Sequence, residues 1–187
     1  MRWRQHCGSC SRLFRPALPY KVATLLYCFN KADEVLLIER THEPNLGYWS
    51  PPGGKLHTHA GESPYDCACR EAREELGIEF ATADLHLAGI VSESSYQGQA
   101  HWLMFLFELK TKLHAVPPPH KEGRFQFFTR AQMDSIPLPQ TDRTTIWPLI
   151  WKHRDGFFAA HCRCHENGHD DWTIEEIFNT PFHQQNA

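Results

Sequence analysis

The sequence predicts a mixed α/β layered fold. Strand-like runs rich in β-branched and aliphatic residues alternate with helix-like runs along the chain. Several strand-like runs are separated by turns short enough for antiparallel hairpins, which a doubly wound parallel sheet would not contain. With 187 residues, 41% hydrophobic and 12% aromatic, the chain can bury the core of one domain with terminal extensions.

The N-terminal half is expected to supply two strands, a loop and a helix. "YKVATLLYCFN" and "DEVLLIER" predict strands that form a hairpin around residues 30–32. "NLGYWSPPGG" predicts a loop, because glycine and proline interrupt it. The helix that follows has both ends marked, with Ser63 as N-cap, Pro64 in the first position and Gly77 just past the end.

The C-terminal half is expected to add strands, helices and a final hairpin. "LHLAGIVSES", "HWLMFLFELK" and "RFQFF" predict strands. "RAQMDSI" and "TDRTTIWPLIWKHR" predict helices, the second capped by Thr141 or Asp142. "FFAAHCRCHENGHDDWTIEEIF" predicts a hairpin that turns at "ENG". The predicted domain spans residues 20–178, between an N-terminal arm at 1–19 and a tail at 179–187.

Charge and composition favour a cytoplasmic protein that acts on a small molecule. The net charge is -3, so no global basic field predicts a nucleic-acid partner. No apolar run is long enough to cross a bilayer, and the arginine-rich start lacks the apolar core of a secretory signal. Several of the seven cysteines fall in predicted strands or helices, where buried free thiols are common. The sequence carries no signal for an oligomeric state.

The run "CREAREELGI" places Glu71, Glu74 and Glu75 in one short helix. At about 100° per residue, the three carboxylates can converge on one side of the helix. They repel one another, and Arg70 and Arg73 can relieve only part of that repulsion. Such an oxygen-rich cluster suits Mg²⁺. Taken alone, the run is better explained as a solvated, charged helix face.

The longer stretch "GGKLHTHAGESPYDCACREAREELGI" resembles the Nudix hydrolases. The family pattern is met by Glu62, Arg70, Glu71, Ala72, Glu74, Glu75, Gly77 and Ile78. The resemblance implies an α/β/α sandwich with a mixed sheet and a C-terminal β-hairpin. It also implies a pyrophosphohydrolase, an acid anhydride hydrolase that cleaves nucleotide phosphoanhydride bonds with Mg²⁺, or with Mn²⁺ as an alternative ion.

The resemblance also implies roles for particular residues. Glu71 and Glu75 would be the principal metal ligands, joined by the Gly53 carbonyl and supported by Glu74. Arg70 would pair with a neighbouring carboxylate, and a glutamate ahead of "RFQFF" would assist the metal. Glu62 would brace the loop at the start of the helix. The implied catalytic set is Glu62, Arg70, Glu71, Glu74, Glu75 and Glu122.

One departure from the family pattern lies in the loop before the helix. Seven residues separate Gly54 from Glu62, where the family has five. The extra pair falls within "HTHAG", so the glutamate face of the helix is intact and the loop over the phosphates is reshaped. His57 and His59 in this loop could contact phosphate or bind a second metal, or they could simply be exposed to solvent.

The later chain resembles the MutT-like branch of the family that hydrolyses oxidised purine nucleoside triphosphates such as 8-oxo-dGTP, from about Tyr20 to about Ile177. On this resemblance, the expected substrate-binding residues are Trp49, Ser50, Lys55, Gln140 and Asp142. The chain departs from this branch at two positions that would bind the base. Ser50 stands where the branch has an asparagine, and no tryptophan that could stack on the base is found near Gln140. Asp142 could read a purine edge or cap a helix. The aromatic residues that could line a base pocket or pack in the core are Tyr96, Trp102 and Phe127.

Two other functions stay open at this stage. The first is hydrolysis of another nucleoside diphosphate-linked substrate, such as ADP-ribose, a dinucleotide or an RNA 5′ end. The second is a nucleotide-binding Nudix module without catalysis, against which the complete set of three glutamates argues. In every case the expected partner is a nucleotide.

The motif "HCGSC" introduces a separate metal hypothesis. Cys7 and Cys10 have the spacing of half a zinc site, and Cys162 and Cys164 in the predicted hairpin would be the other half. The alternative is that Cys162 and Cys164, on one face of a strand, pack as ordinary side chains.

Overall fold

A computed structural model of the chain describes residues 17–165 and 168–179. Within them, nine strands and two α-helices are formed. The helices are α1 (Pro64–Glu71) and α2 (Trp147–His153). The strands are β1 (Tyr20–Tyr27), β2 (Val35–Arg40), β3 (Trp49–Ser50), β4 (Gly53–Lys55), β5 (Leu85–Tyr96), β6 (Ala100–Leu109), β7 (Gly123–Phe128), β8 (Phe157–Arg163) and β9 (Asp171–Phe178).

The strands form one large mixed sheet and one small antiparallel sheet. The six-stranded sheet has the order β4-β1-β6-β5-β8-β9, with parallel pairing of β1 with β6 and of β5 with β8. The three-stranded sheet has the order β3-β2-β7. The C-terminal hairpin is confirmed, since β8 and β9 pair antiparallel.

The hairpin expected between β1 and β2 is only partly formed. The turn exists, with a bridge between Phe29 and Val35 and a 2.8 Å bond from the Leu36 N–H to the Cys28 carbonyl. Beyond that bridge the strands separate into different sheets. Both edges of β1 are occupied, by β4 and by β6, so β2 pairs with β3 and β7 instead.

Two apolar clusters place one helix on each side of the strands. Ala68 and Ala72, from α1 and its continuation, pack with Leu26 and Phe107. On the other side, Ile150 from α2 belongs to a cluster that includes Tyr27, Leu106 and Phe158. Because β1 contributes alternate residues to the two clusters, both of its faces are buried. The α/β/α arrangement follows from this division.

The remaining predicted helices are present with local differences. "RAQMDSI" forms a single 3₁₀ turn at Gln132–Ser135. The second long helix opens with a wide π turn at Asp142–Ile146 and continues as α2. The predicted arm and tail lie almost entirely outside the described residues. Between residues 17 and 179, apart from 166 and 167, no helix has both the length and the apolar character that spanning a membrane requires.

Candidate active site

The glutamate helix begins and ends where the sequence predicts. Ser63 is the N-cap, and its Oγ accepts a 3.1 Å hydrogen bond from the Asp66 N–H. Pro64 occupies the first helical position. After α1 the helix widens into a π turn at Ala72–Leu76 and ends at Gly77, whose φ of 68° is left-handed. The caps therefore fix where the three glutamates fall on the fold.

The π turn separates the three glutamates into a buried pair and an exposed member. Glu71 and Glu75 are 9% and 5% exposed. The side chain of Glu74 is 51% exposed and contacts Arg70 at 3.3 Å. Because a π turn holds more residues than an α-turn, the 100° spacing assumed for a regular helix does not apply to Glu74 and Glu75. Glu71 and Glu75 form the inner part of the site.

Gly53 and Gly54, at the start of β4, pack directly against these two carboxylates. The Gly53 N–H donates a 2.9 Å hydrogen bond to Oε2 of Glu75. A Cβ atom on Gly54 would lie 2.1 Å from Oε1 of Glu71. A Cβ on Gly53 would lie 2.2 Å from the Thr24 carbonyl oxygen, and its φ is 144°. Gly53 therefore cannot carry a side chain against β1, and a side chain on Gly54 would have to displace the Glu71 carboxylate.

Arg70 connects the helix to the loop on its N-terminal side. Its Nε donates to Glu62 at 2.7 Å and its Nη1 donates to Glu71 at 2.7 Å. A third bond, of 3.1 Å, runs from Nη2 to the Lys55 carbonyl. The Arg70 hydrogen bonds lower the pKa of Glu62 to about 2, aided by the His57 N–H, so Glu62 stays ionised. Glu62 therefore links Arg70 to the backbone of the loop at His57.

The loop with two extra residues folds into a compact turn. Thr58–Ala60 forms a 3₁₀ turn that ends at Gly61, where φ is 67°. This turn takes up the additional length while Glu62 still reaches Arg70 and the His57 N–H. His57 and His59 are both exposed, with ring centroids 5.8 Å apart. Their positions fit the solvent-exposed interpretation.

Burial and mutual repulsion make the inner carboxylates receptive to a cation. Burial, with smaller contributions from the charges of Glu71 and Glu122, raises the pKa of Glu75 to about 8, against the lowering effect of the hydrogen bond from the Gly53 N–H. Burial also raises the pKa of Glu71, against the lowering effect of Arg70. A hard divalent cation bound among these oxygens would relieve both effects. Glu71, Glu75 and Glu122 therefore supply carboxylate oxygens of the kind that a divalent cation binds.

Glu71 lines one end of a cleft of about 270 Å³, and Glu75 lies next to it, held by the N–H of the cleft residue Gly53. Arg40, Lys55 and Glu122 line this end together with the two loop glycines. The opposite end is lined by Glu93, Tyr96, Trp102, Met104, Thr141 and Asp142. A ligand in the cleft would therefore touch the acidic cluster at one end and a mixed aromatic and carboxyl surface at the other.

The far end contains a second pair of carboxyl groups. Glu93 is 4% exposed, and its Oε1 has no hydrogen-bond partner among the described residues. Burial raises the pKa of Glu93 to about 8, with a further contribution from Asp142. Burial raises the pKa of half-buried Asp142 to about 7. At neutral pH this pair can hold a proton, so it can both donate and accept hydrogen bonds.

Asp142 does not cap the helix. It lies inside the π turn, with Thr141 before it, and the Thr141 side chain makes no capping hydrogen bond. Oγ1 of Thr141 is instead a buried atom without a partner in the described structure. Both residues line the cleft. Of the two interpretations of Asp142, the position facing a ligand is the one that the structure favours.

The other expected substrate residues divide between the cleft and its surroundings. Ser50 and Lys55 line the cleft, and Oγ of Ser50 is buried without a partner among the described residues. Trp49 is 4% exposed and packs edge-on against Phe128 in the core. Successive residues of β3 point to opposite faces, so Trp49 and Ser50 cannot both face the cleft. The expectation of substrate binding by Trp49 does not match this position.

The structure also shows where Gln140 and the three aromatic residues lie relative to the cleft. Gln140 is exposed and lines a neighbouring groove with Tyr48 and Cys164, outside the cleft, so the structure does not support its expected contact with the substrate. Gln140 is the first residue of the helix that carries Asp142, and its side chain lies at the edge of the cleft. Of the three aromatic residues considered for a base pocket, Tyr96 and Trp102 line the cleft. Phe127 packs in the cluster beside α1.

The sequence-based search missed Glu93. Its signal was available, because Val91 and Glu93 alternate inward along β5 and an acidic residue is out of place at such a position. Arg40 and Thr141 were also missed, and neither stands in a recognisable motif. Cys7 and Cys10 of the four-cysteine hypothesis lie outside the described residues, so that site stays a prediction.

The sequence of the chain matches those of known proteins. A family model described as NUDIX domain matches residues 19–149. The chain is 30% identical over 113 residues to the uncharacterized Nudix hydrolase YvcI of Bacillus subtilis (strain 168), covering 59% of this chain and 67% of that one. It is 31% identical over 121 residues to the RNA pyrophosphohydrolase of Rhizobium meliloti (strain 1021), covering 54% and 71%.

Solved structures share the fold. The MutT protein from Bacillus halodurans superposes with a TM-score of 0.65 at 22% identity, covering 83% of this chain and 97% of that one. The MutT protein from Methanosarcina mazei Go1 gives a TM-score of 0.61 at 22% identity, covering 74% and 98%. The expected fold class is confirmed.

Proposed function

The chain belongs to the NUDIX domain family of hydrolases, and from that membership we propose that its cleft hydrolyses a purine nucleoside triphosphate to the monophosphate. An oxidised purine nucleotide such as 8-oxo-dGTP is the favoured substrate. The observation that carries the proposal is the cleft itself, whose lining includes Glu71 and Glu122 at one end and Glu93 and Asp142 at the other. One end suits phosphates with a metal, and the other suits a base.

At the phosphate end, each residue has a defined task. Glu71, Glu75 and Glu122, with the Gly53 carbonyl, would hold Mg²⁺ or Mn²⁺. The metal supplies charge neutralisation of the phosphate chain and a template for the attacking water. Arg70 orients Glu71 through their 2.7 Å bond, and the Gly53 N–H orients Glu75. Lys55 lines the cleft and adds positive charge for the phosphate oxygens.

At the base end, the carboxyl pair supports a purine with mixed donors and acceptors. A guanine-type edge presents a carbonyl acceptor beside N–H donors. One protonated and one ionised carboxyl group would complement such an edge, since the first donates and the second accepts. Tyr96 and Trp102 provide aromatic surface beside the pair. A buried polar site of this kind rejects bases whose pattern leaves its groups unpaired.

A second candidate is removal of pyrophosphate from an RNA 5′ end. Two curated relatives, 31% and 28% identical, are named RNA pyrophosphohydrolase. The bond cleaved is also a phosphoanhydride, so the phosphate end would serve both reactions. The net charge of -3 offers no broad basic surface for an RNA chain, which leaves the free nucleotide as the first choice.

A panel of hydrolysis assays tests the proposal. Purified protein with Mg²⁺ would be given 8-oxo-dGTP, unmodified nucleoside triphosphates, ADP-ribose, NADH, dinucleoside polyphosphates and triphosphate-ended RNA, with Glu75→Gln as the control. The proposal expects the highest kcat/KM with 8-oxo-dGTP and a value about 100- to 1,000-fold lower in the control. A higher kcat/KM with RNA would favour the second candidate, and no turnover of any compound would favour a binding module.

The proposal includes a cytoplasmic location. Five cysteines in the described part of the chain, Cys28, Cys67, Cys69, Cys162 and Cys164, are free thiols. Free thiols persist in reducing compartments such as the cytoplasm.

A further inference from the structure

The end of strand β8 places two sulfur atoms side by side. Sγ of Cys162 and Sγ of Cys164 are 3.6 Å apart, because alternate residues of a strand lie on the same face. A disulfide would bring them to about 2.05 Å, and both are free thiols. Two thiolates bound to one tetrahedral Zn²⁺ at about 2.3 Å each lie about 3.8 Å apart. The observed separation is therefore close to that of two ligands of one zinc ion.

A carboxylate stands next to the two sulfur atoms. One oxygen of Asp170 and the two Sγ atoms all lie within 4.8 Å of one another. Cys162 is fully buried, and Cys164 and Asp170 are half-buried. A small inward movement of the Asp170 carboxylate would bring three ligand atoms to zinc-binding distance.

Backbone hydrogen bonds hold the cysteines in place. The Cys164 N–H donates to the Ser94 carbonyl at 3.0 Å, and Oγ of Ser94 donates to the Cys162 carbonyl at 3.4 Å. Cys162 also pairs with Trp172 of β9 in the antiparallel ladder. Because Asp170 immediately precedes β9, the three ligands come from both sides of the hairpin. Little of the site has to be ordered when metal binds.

We propose that Cys162, Cys164 and Asp170 bind one Zn²⁺ ion that closes the C-terminal hairpin. Two thiolates favour zinc over Mg²⁺, so this site and the carboxylate site of the cleft take different metals. Binding releases the two thiol protons to solvent. The fourth position is open to water or to a ligand from outside the described residues. Cys164 and Asp170 also line the groove that contains Tyr96 and Thr141, so the ion would stabilise the wall behind the base end of the cleft.

Metal content tests this site directly. The full chain, purified without a polyhistidine tag, would be dialysed with excess Zn²⁺ and then with metal-free buffer before elemental analysis. We expect about one zinc per chain in the wild type, its loss in Cys164→Ser, and at least a tenfold weaker affinity in Asp170→Asn. Cys69→Ser, which removes a thiol elsewhere, should keep its zinc. Absence of stoichiometric zinc in the wild type would overturn the proposal.

Two further measurements keep the test decisive. Circular dichroism confirms that each variant is folded, and the half-buried Cys164 is chosen because replacing the fully buried Cys162 could disturb the core. Substitution with Co²⁺ should give thiolate-to-metal charge-transfer absorption in the wild type and a reduced band in Cys164→Ser. An unchanged band in that variant would contradict thiolate ligation by the hairpin.

The double variant Cys7→Ser and Cys10→Ser separates the hairpin from the N-terminal arm. Loss of zinc in this variant, with retention in Cys164→Ser, would assign the metal to the arm and overturn the proposal. Loss in both would support hairpin ligation and add arm cysteines to the ligand set. If Asp170→Asn then bound zinc as tightly as the wild type, the assignment of Asp170 would be wrong.

Discussion

Oε2 of Glu75 accepts a 2.9 Å hydrogen bond from the backbone N–H of Gly53, 22 residues earlier in the chain. This bond ties the glutamate helix to the glycine loop and fixes one oxygen of a buried carboxylate. In the proposed site, the other oxygen would face the metal. Burial raises the pKa of Glu75 to about 8. A metal would therefore compete with a proton for this carboxylate and would displace the proton on binding.

Replacing Glu75 by glutamine should abolish most of the activity. Glutamine keeps the size of the side chain and can still accept the Gly53 hydrogen bond, but it removes the charge that holds the metal. We expect kcat/KM to fall by about 100- to 1,000-fold, with little change in thermal stability. Glu79→Gln, at an exposed position just beyond the helix, is the matched control. Equal activity in the two variants would exclude Glu75 as a ligand.

Gly54→Ala should reduce turnover without unfolding the protein. The added Cβ would meet Oε1 of Glu71 at 2.1 Å, and this carboxylate can move because it ends a flexible side chain. Displacement of a ligand by about 1 Å can lower kcat by about 100-fold. Gly47→Ala serves as the comparison, since its φ of 76° costs about 1 kcal/mol with no atom within 4 Å to displace. Steady-state kinetics and thermal unfolding of both variants distinguish the two effects.

Arg70→Lys should weaken both the loop and the site. The guanidinium contacts Glu62, Glu71 and the Lys55 carbonyl together, which a single ammonium cannot do. We expect the free energy of unfolding to fall by about 2 kcal/mol and kcat by about 10- to 100-fold. Arg73→Lys, on an exposed part of the same helix, should have neither effect. A wild-type kcat in Arg70→Lys would show that one contact suffices.

Glu93→Gln should change the choice of base more than the rate of cleavage. Glutamine cannot exchange a proton with Asp142, so one hydrogen bond to the base would be lost or reversed. The expected result is a 10- to 100-fold rise in KM for the favoured nucleotide, with kcat altered far less, in line with about 1–3 kcal/mol per base contact. Glu176→Gln, an exposed residue of β9, provides the control. A fall in kcat with constant KM would place Glu93 in catalysis instead.

The pH dependence of stability should reveal the buried Glu93 carboxyl. Its folded pKa, about 8, lies above the unfolded value near 4.5, so the folded state binds the proton more tightly. The stability from this group is present below the unfolded pKa and is lost as pH rises towards 8. In chelator-treated protein, Glu93→Gln should gain on the order of 3 kcal/mol relative to wild type between pH 5 and 9. Parallel stability curves for the two proteins would contradict the shifted pKa.

Much of the phosphate end could be predicted from the sequence because its parts are close along the chain. Ser63, Pro64 and Gly77 mark the helix by local backbone chemistry, and Arg70, Glu71 and Glu75 follow within that helix. The strand runs of β5 to β9 were also predictable from local composition. What local rules missed was the wide π turn, since packing around the helix, and not propensity, decides such a turn.

The sequence by itself determined the order of the long strands and helices, the caps of the glutamate helix and the set of acidic residues proposed to face a cation, whereas the short strands β3 and β4 lie where it predicted a loop. Only the tertiary structure decided that β1 and β2 part into separate sheets, that Trp49 is buried, and that Glu93 of β5 shares a cleft with Asp142. Helix caps and turns depend on neighbours in the chain. Sheet pairing and the meeting of distant carboxyl groups depend on which edges and faces remain available after the core has packed, and no local pattern records that.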